Sequence, residues 1–424
     1  MKDAVKMLKN NKGYALLIGI VIAIFLGIFL SAAFTSGDMQ IKASQERSAA
    51  QLAFYAAEAG LEEAVFELRR NENWLPPGTE TTVQLISVAP PLIAGYYNVQ
   101  VDNAPLDAKY PAFPAVWVRS DGQDSDRQVT RALLAKIILF NPAEFFVSSM
   151  ADIHVGSGRT YWGDILGRDI YFEINDTISD DDPAKKIVLF GDVYYFRSIH
   201  GDTNPFVGFM GNPPQAFTSI TFPGVDADRY RDLAQSGGKY VDSDYMVPLA
   251  INRNTIFDEP ATANGIIFAE GDIYISGQYE DSLLFVAGGD IFINGDLTPS
   301  ASTDPAPQLG LFAKQDIIIP ESSPRDMSVE AFLIADGEGD AYGQVTALGN
   351  KKSKGTLNFK GAMAARGLQE DGTAPRTAFN LNVFANANYN YDANLRNNCT
   401  IPFMTYVANM IHWEEINPHD AFPP

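Results

Sequence analysis

The chain has 52 acidic residues among 424, so chemistry is sought first where carboxylates lie close together. Asp164 with Asp169, Glu270 with Asp272, and Asp336 with Asp340 are such pairs. Two facing carboxyls can serve as acid and base on a glycosidic bond, provided a groove holds them at a defined separation. Composition alone produces close pairs in so acidic a chain, and spacing along a chain does not specify spacing across a groove. "DGQDSD" gathers Asp121, Asp124 and Asp126 but lacks the glycine and distal glutamate of a calcium loop. "ADGEGDAYG" (Ala335 to Gly343) reads as a glycine-rich turn. His154, His200, His412 and His419 lack metal-ligand spacing, and the single cysteine, Cys399, excludes an intrachain disulfide and a multi-cysteine zinc site. There is no nucleotide loop, HExxH or Ser-His-Asp signature. The expectation is no catalytic residue, no metal and no cofactor: not an enzyme. A net charge of −21 argues against a phosphate-binding face, so no nucleic acid partner is expected.

The elements that would position these acids form a repeat. "ADIHVGSG", "RDIYFEIN", "GDVYYFRS", "GDIYISGQ", "GDIFINGD" and "QDIIIPES" each place an aspartate before Ile or Val and then β-favouring residues. Their aspartates are Asp152, Asp169, Asp192, Asp272, Asp290 and Asp316. Apart from one gap of 80 residues, Asp192 to Asp272, the intervals fit one coil of a parallel β-solenoid. The aspartate is expected to bond its own local backbone at a corner, with the following Ile or Val stacked on its counterpart one coil away. Apolar runs such as "GIIFAE", "SLLFVAG", "LGLFAK" and "EAFLIAD" supply a second side. An antiparallel sandwich is the competing arrangement. The gap reads as an excursion, about 197–264, carrying a short helix ended by Gly237-Gly238. The aromatic-rich 386–424 reads as a cap on the last open coil.

Ahead of the repeat, residues 79–141 alternate apolar and polar in "YYNVQVDN" and "AVWVRS" and continue into "RQVTRALLAKIILF", a small antiparallel sheet. Earlier still, Tyr14 to Phe34 are almost all apolar and no charge falls between Gly13 and Gly37, about the length that spans a bilayer. Lys2, Lys6, Lys9 and Lys12 precede this run and Asp38 follows it, which predicts a cytoplasmic N-terminus. From Ala49 to Leu68 apolar and small residues recur at three- and four-residue spacing, until Trp74-Leu75-Pro76-Pro77-Gly78 ends the pattern. The two stretches predict one rod of about 57 residues, roughly 85 Å long.

The basic leader, the "KG" junction, the uncharged helix and "AFYAAEAGLEEA" together resemble the start of a type IV prepilin, and more narrowly the PilX-like minor pilins and tip pseudopilins. The resemblance implies that a prepilin peptidase cuts after Gly13 and that Tyr14 becomes the methylated first mature residue. It further implies that other pilins or pseudopilins pack on the apolar helix. This chain departs from the pattern in having Tyr14 where Phe or Met is usual, and Ile18 where the family carries Glu. That glutamate neutralises a neighbour's amino terminus inside an apolar bundle. A subunit with nothing docked beyond it has no such charge to neutralise, which points to a tip or initiating position.

The combined expectation is a mainly β, α+β chain. It comprises a leader (1–13), a long helix (14–75, membrane-spanning over 14–34), a small β domain (79–141), a β-solenoid with its insertion (142–385) and a cap (386–424). Two functions compete: a minor-pilin-like structural component held in the inner membrane with its C-terminal region exported, exposing the solenoid for assembly or adhesion, and a membrane-anchored surface solenoid that binds or cleaves polysaccharide.

Overall fold

The computed structural model describes residues 2–71, 74–76, 78, 81–83, 95–105, 113–156, 160–173, 187–201, 207–216, 222, 224–300, 306–337, 342–367, 378–404 and 407–422. It is mainly β: a long N-terminal helix, a small antiparallel sheet and a large body of parallel strands.

Helix α1 runs unbroken over Lys2–Arg70, so the basic leader residues continue the same helix as the apolar run. Ala53, Ala56, Ala57, Leu61, Ala64 and Leu68 are fully buried along one face of its C-terminal half. They pack on an antiparallel sheet formed by β1 (Thr81–Val83), β2 (Gly95–Ala104), β3 (Ala115–Asp124) and β4 (Thr130–Phe140). The approach is close enough to exclude a β carbon at two glycines. One added at Gly60 would lie 2.2 Å from Ser120 Oγ, and one at Gly122 2.1 Å from the Ala53 carbonyl oxygen. This is why "AFYAAEAGL" is built of small residues: helix backbone rests almost on sheet backbone.

At Asn141 the chain turns out of the sheet. Its side chain accepts the Ala143 N–H at 2.9 Å and starts a single 3-10 turn, Pro142–Glu144. Beyond it, strands stack in parallel register, as in Ile267↔Phe285 and Phe285↔Leu311 on one side and Ile273↔Ile291 and Ile291↔Ile317 on another. Inward residues of successive coils form one continuous core, including Ile273, Ile291, Ile317 and Val345.

The stack does not follow chain order. The first coil strand, Val147–Ser149, sits in the middle, between Lys354–Ala365 (Met363↔Val147) and Ile165–Glu173 (Val147↔Ile165). From there the chain builds outward through Val193–His200 to Gln215–Ala216 at one end. It then crosses to Lys239–Val241 at the opposite end and returns coil by coil until Lys354–Ala365 and Phe384–Tyr391 close on the first coil.

This corrects the expected excursion over 197–264. Both of its flanks are coil strands, among them Val207–Phe209 and Lys239–Val241, and the departure is the crossing that carries α2 (Ala227–Gly237). The crossing has a physical reason. Strands such as Ile266–Ala269 are apolar on both faces: Ile267 and Ala269 point to the solenoid core, while Ile266 and Phe268 pack outward against α2, with Tyr230 fully buried. An apolar outer face must be covered.

The expected cap is also corrected. Phe384–Tyr391 is a coil strand. Leu395, Ile401 and Met404 join α2 in covering the outer face, with Tyr230 Oη donating to the Phe403 carbonyl at 2.9 Å. The last strand, Val407–Ile416, returns to the small sheet and pairs antiparallel with β4, covering an edge that would otherwise be open. Arg119 then donates to the carbonyls of Pro418 and Asp420, tying the tail to β3. Phe113, Ile138, Phe145, Leu166 and Tyr194 form the core that joins sheet to solenoid.

Candidate functional site

Gly13 and Tyr14 lie within α1, and their side-chain environment is outside the described residues. Ile18 is 53% exposed. Every described position from 18 to 48 is exposed except the half-buried Gly37, including Ile24, Phe25, Ile28, Phe29 and Phe34. This stretch is long and apolar enough to cross a membrane. A bare half, uncharged as far as Gly37, and a packed, small-residue half therefore share one helix. The bare half exposes apolar surface that water disfavours at about 25 cal/mol per Å², so a bilayer or neighbouring apolar helices are its favourable surroundings.

The paired carboxylates have separate partners. Asp164 is held by Arg396 at 2.9 Å and accepts the Asp192 N–H at 2.8 Å. Asp169 is buried, accepts from Ser198, and has Arg168 and Arg197 each 3.7 Å away. Glu270 takes a fork from Arg231 at 2.5 and 2.8 Å and a hydroxyl from Tyr240, and the Arg231 hydrogen bonds hold its pKa below the ordinary carboxylate value. Asp336 pairs with Arg366 at 2.9 Å and accepts the Val225 N–H from the crossing segment; burial pushes its pKa up against both. Asp340 lies outside the described residues. In "DGQDSD", Asp124 closes the turn by accepting the Gln128 and Val129 N–H groups, and Asp121 pairs with Arg119. Among the described residues no group of His, Cys, Asp or Glu is arranged to hold a metal.

The repeated aspartates act between coils rather than on their own backbone, which corrects the expected local bond. Asp244 accepts the Asp272 N–H at 2.9 Å, Asp272 that of Asp290 at 2.8 Å, Asp290 that of Asp316 at 2.9 Å, and Asp316 that of Gln344 at 2.7 Å. A second ladder runs from Asp164 to Asp192 to Asn212. At each corner, where the strand ladder lapses, a carboxylate satisfies a backbone N–H that would otherwise go without a partner. Asp152 and Asp169 stand apart: Asp152 pairs with Arg168, and Asp169 is aligned with Ser198. The sequence reading missed four members: Asp244, Gln344 and Asn212, none of which belongs to an Asp-Ile or Asp-Val step, and Asp164, which precedes Ile165 but lies only five residues before the repeat's Asp169.

No family model and no curated protein matches the chain. Among solved structures it is similar to the competence-associated pilin ComZ from Thermus thermophilus, at 14% identity and a TM-score of 0.30, over 87% of this chain and 97% of that one. It is also similar to the DUF3494 domain of Shewanella frigidimarina ice-binding protein_1, at 13% identity and a TM-score of 0.28, over 59% of this chain and 95% of that one. At these scores neither likeness carries an argument, and the reading below rests on the chain's own residues.

Proposed function

We propose that this chain is a pilin-like structural subunit of a type IV pilus or related filament. In this reading α1 anchors it in the membrane before assembly and packs among like helices afterwards, while the solenoid is exposed for assembly or adhesion. Prepilin peptidase cuts between Gly13 and Tyr14, and Tyr14 is methylated. Ile18, where the family carries a carboxylate, favours the tip. We read its role as structural rather than enzymatic, which is supported by the engagement of Asp164, Glu270 and Asp336 by Arg396, Arg231 and Arg366 and of Asp272 by the Asp290 N–H.

One observation carries the reading. The exposed uncharged run and the packed "AAEAGL" face belong to a single unbroken helix, Lys2–Arg70. A cleaved secretion signal has no need to share a helix with the folded body. The test is N-terminal mass analysis of the protein extracted from membranes of its host: the expected species begins at methylated Tyr14, and Gly13→Ala leaves the longer precursor. An intact Met1, or normal processing of Gly13→Ala, would reject the assigned junction and leave a surface-anchored solenoid as the better reading. Immunogold labelling at filament ends would then separate a tip subunit from one spread through the envelope.

A further inference from the structure

The permuted coil order creates a seam where the first and last coils meet without a covalent link. Two sides of it are zipped, by Met363↔Val147 through Ala365↔Ser149 and by Tyr389↔Tyr161 with Asn390↔Trp162. On the third side, Phe379–Asn380 pairs with Val345–Ala347 and Ile153–Gly156 with Ile165–Glu173, but these two facing strands share no register. Among the described residues their join is one long backbone bond, the Ala378 N–H donating to the Asp152 carbonyl at 3.5 Å.

Behind that open side lies a cavity of about 290 Å³, lined by apolar groups that include Phe146, Ile153, Val155, Met363 and Leu381. Close-packed interiors rarely leave voids much larger than a water molecule, whereas small-ligand pockets begin near ~300 Å³. Its exposed lining residues are His154, Glu173 and Asn382, and among the described residues the lining contains no lysine or arginine. His154 Nδ1 lies 2.7 Å from Glu173 Oε1, and Tyr171 stacks on the imidazole with ring centroids 4.8 Å apart, which fixes the pair at the rim.

We propose that this seam is a binding site for a small molecule with a compact apolar body, such as an aryl ring, and a cationic head. The body fills the cavity and the head meets the Glu173 carboxylate. The site is independent of the filament reading, because it arises from coil order alone.

The test uses the full chain in lipid nanodiscs, labelled with ¹³C at the methionine methyls, with Met363 assigned through Met363→Leu. Phenethylammonium, 2-phenylethanol and 3-phenylpropanoate share a body and differ in head charge. The Met363 methyl is expected to shift saturably with the amine, about threefold more weakly with the alcohol, and most weakly with the carboxylate, as fits a solvent-exposed ion pair. Met327, buried elsewhere in the solenoid, serves as the internal control and stays in place. Val155→Trp, which fills the cavity, abolishes the Met363 shift. Should that variant fail to fold, Glu173→Gln decides: it brings amine and alcohol to equal affinity and leaves alcohol binding intact. No saturable shift at Met363 with any probe, an undiminished shift in folded Val155→Trp, or an amine preference that survives Glu173→Gln would each overturn the proposal.

Discussion

The two halves of α1 place the same residue types in opposite circumstances. A β carbon added at Gly19 or Gly27 would meet nothing within 4 Å, whereas at Gly60 it would collide with Ser120 and Tyr97. Ile24 is 56% exposed while Leu61 is 3% exposed. The C-terminal half is complete within the chain, because β2, β3 and β4 provide its partner. The N-terminal half is incomplete by construction, since its apolar groups have no counterpart among the described residues. A helix that is folded at one end and unfinished at the other belongs to a molecule whose final surroundings come from outside.

That contrast is broken most severely at the helix–sheet contact. Gly122→Val sets a side chain against the Ala53 oxygen and the Ala57 nitrogen, 2.1 and 2.3 Å from the added β carbon. Neither backbone can yield, so a loss of about 3 kcal/mol or more is expected, read as a lowered Tm. Gly27→Leu is the matched control and should leave the Tm of the sheet and solenoid unchanged. Equal destabilisation by the two would mean the halves do not differ as described.

Next in size is Ile24→Arg. A charge at the centre of a spanning helix costs ~2.5–3.5 kcal/mol on insertion scales. Membrane retention on flotation should fall sharply while the melting of the sheet and solenoid is preserved, because Ile24 touches nothing in the body. Retention at the original level would remove the membrane from the account of this half.

How far the sequence reveals each region follows from the range of the interactions. α1 is legible because its signals are local: apolar length, small-residue spacing and a proline stop. The parallel coils are legible from the Asp-Ile repeat, but their alignment is not. The repeat motif matches Asp169 with Asp192, whereas the structure pairs Ile165 with Val193, so that Asp164 aligns with Asp192 and Asp169 with Ser198. Both aspartates precede an isoleucine, and only the third dimension tells one corner from the next. The return of Val407–Ile416 to β4 and the seam beside Val147 depend on coil order, which no local pattern records.

The corner ladder offers the gentler tests. Asp316→Ala removes the acceptor of the Gln344 N–H and should cost ~1–3 kcal/mol by chemical denaturation. Asp316→Asn keeps an oxygen there and should cost much less, which separates the hydrogen bond from the charge.

The same pair fixes a pH dependence. Burial pushes the Asp316 carboxyl above its ordinary pKa, against the backbone N–H groups of Gln344 and Gly343 that favour the anion, and Asp290 is raised chiefly by burial as well. A carboxyl with a raised folded pKa binds its proton more tightly in the folded than in the unfolded state. Its contribution to stability therefore grows as pH falls from neutral through the raised value, and levels off below the ordinary carboxylate pKa. Glu270 works in the opposite sense, since Arg231 lowers its pKa and its contribution is lost on acidification. Total stability mixes the two, but the difference between wild type and Asp316→Asn isolates the ladder. The wild type should gain on the variant as pH drops from 7 toward the carboxylate range, measured by denaturant midpoints at each pH. A flat difference would mean that Asp316 pays no desolvation cost at its corner, and that the ladder, unlike the bare half of α1, is fully satisfied at neutral pH.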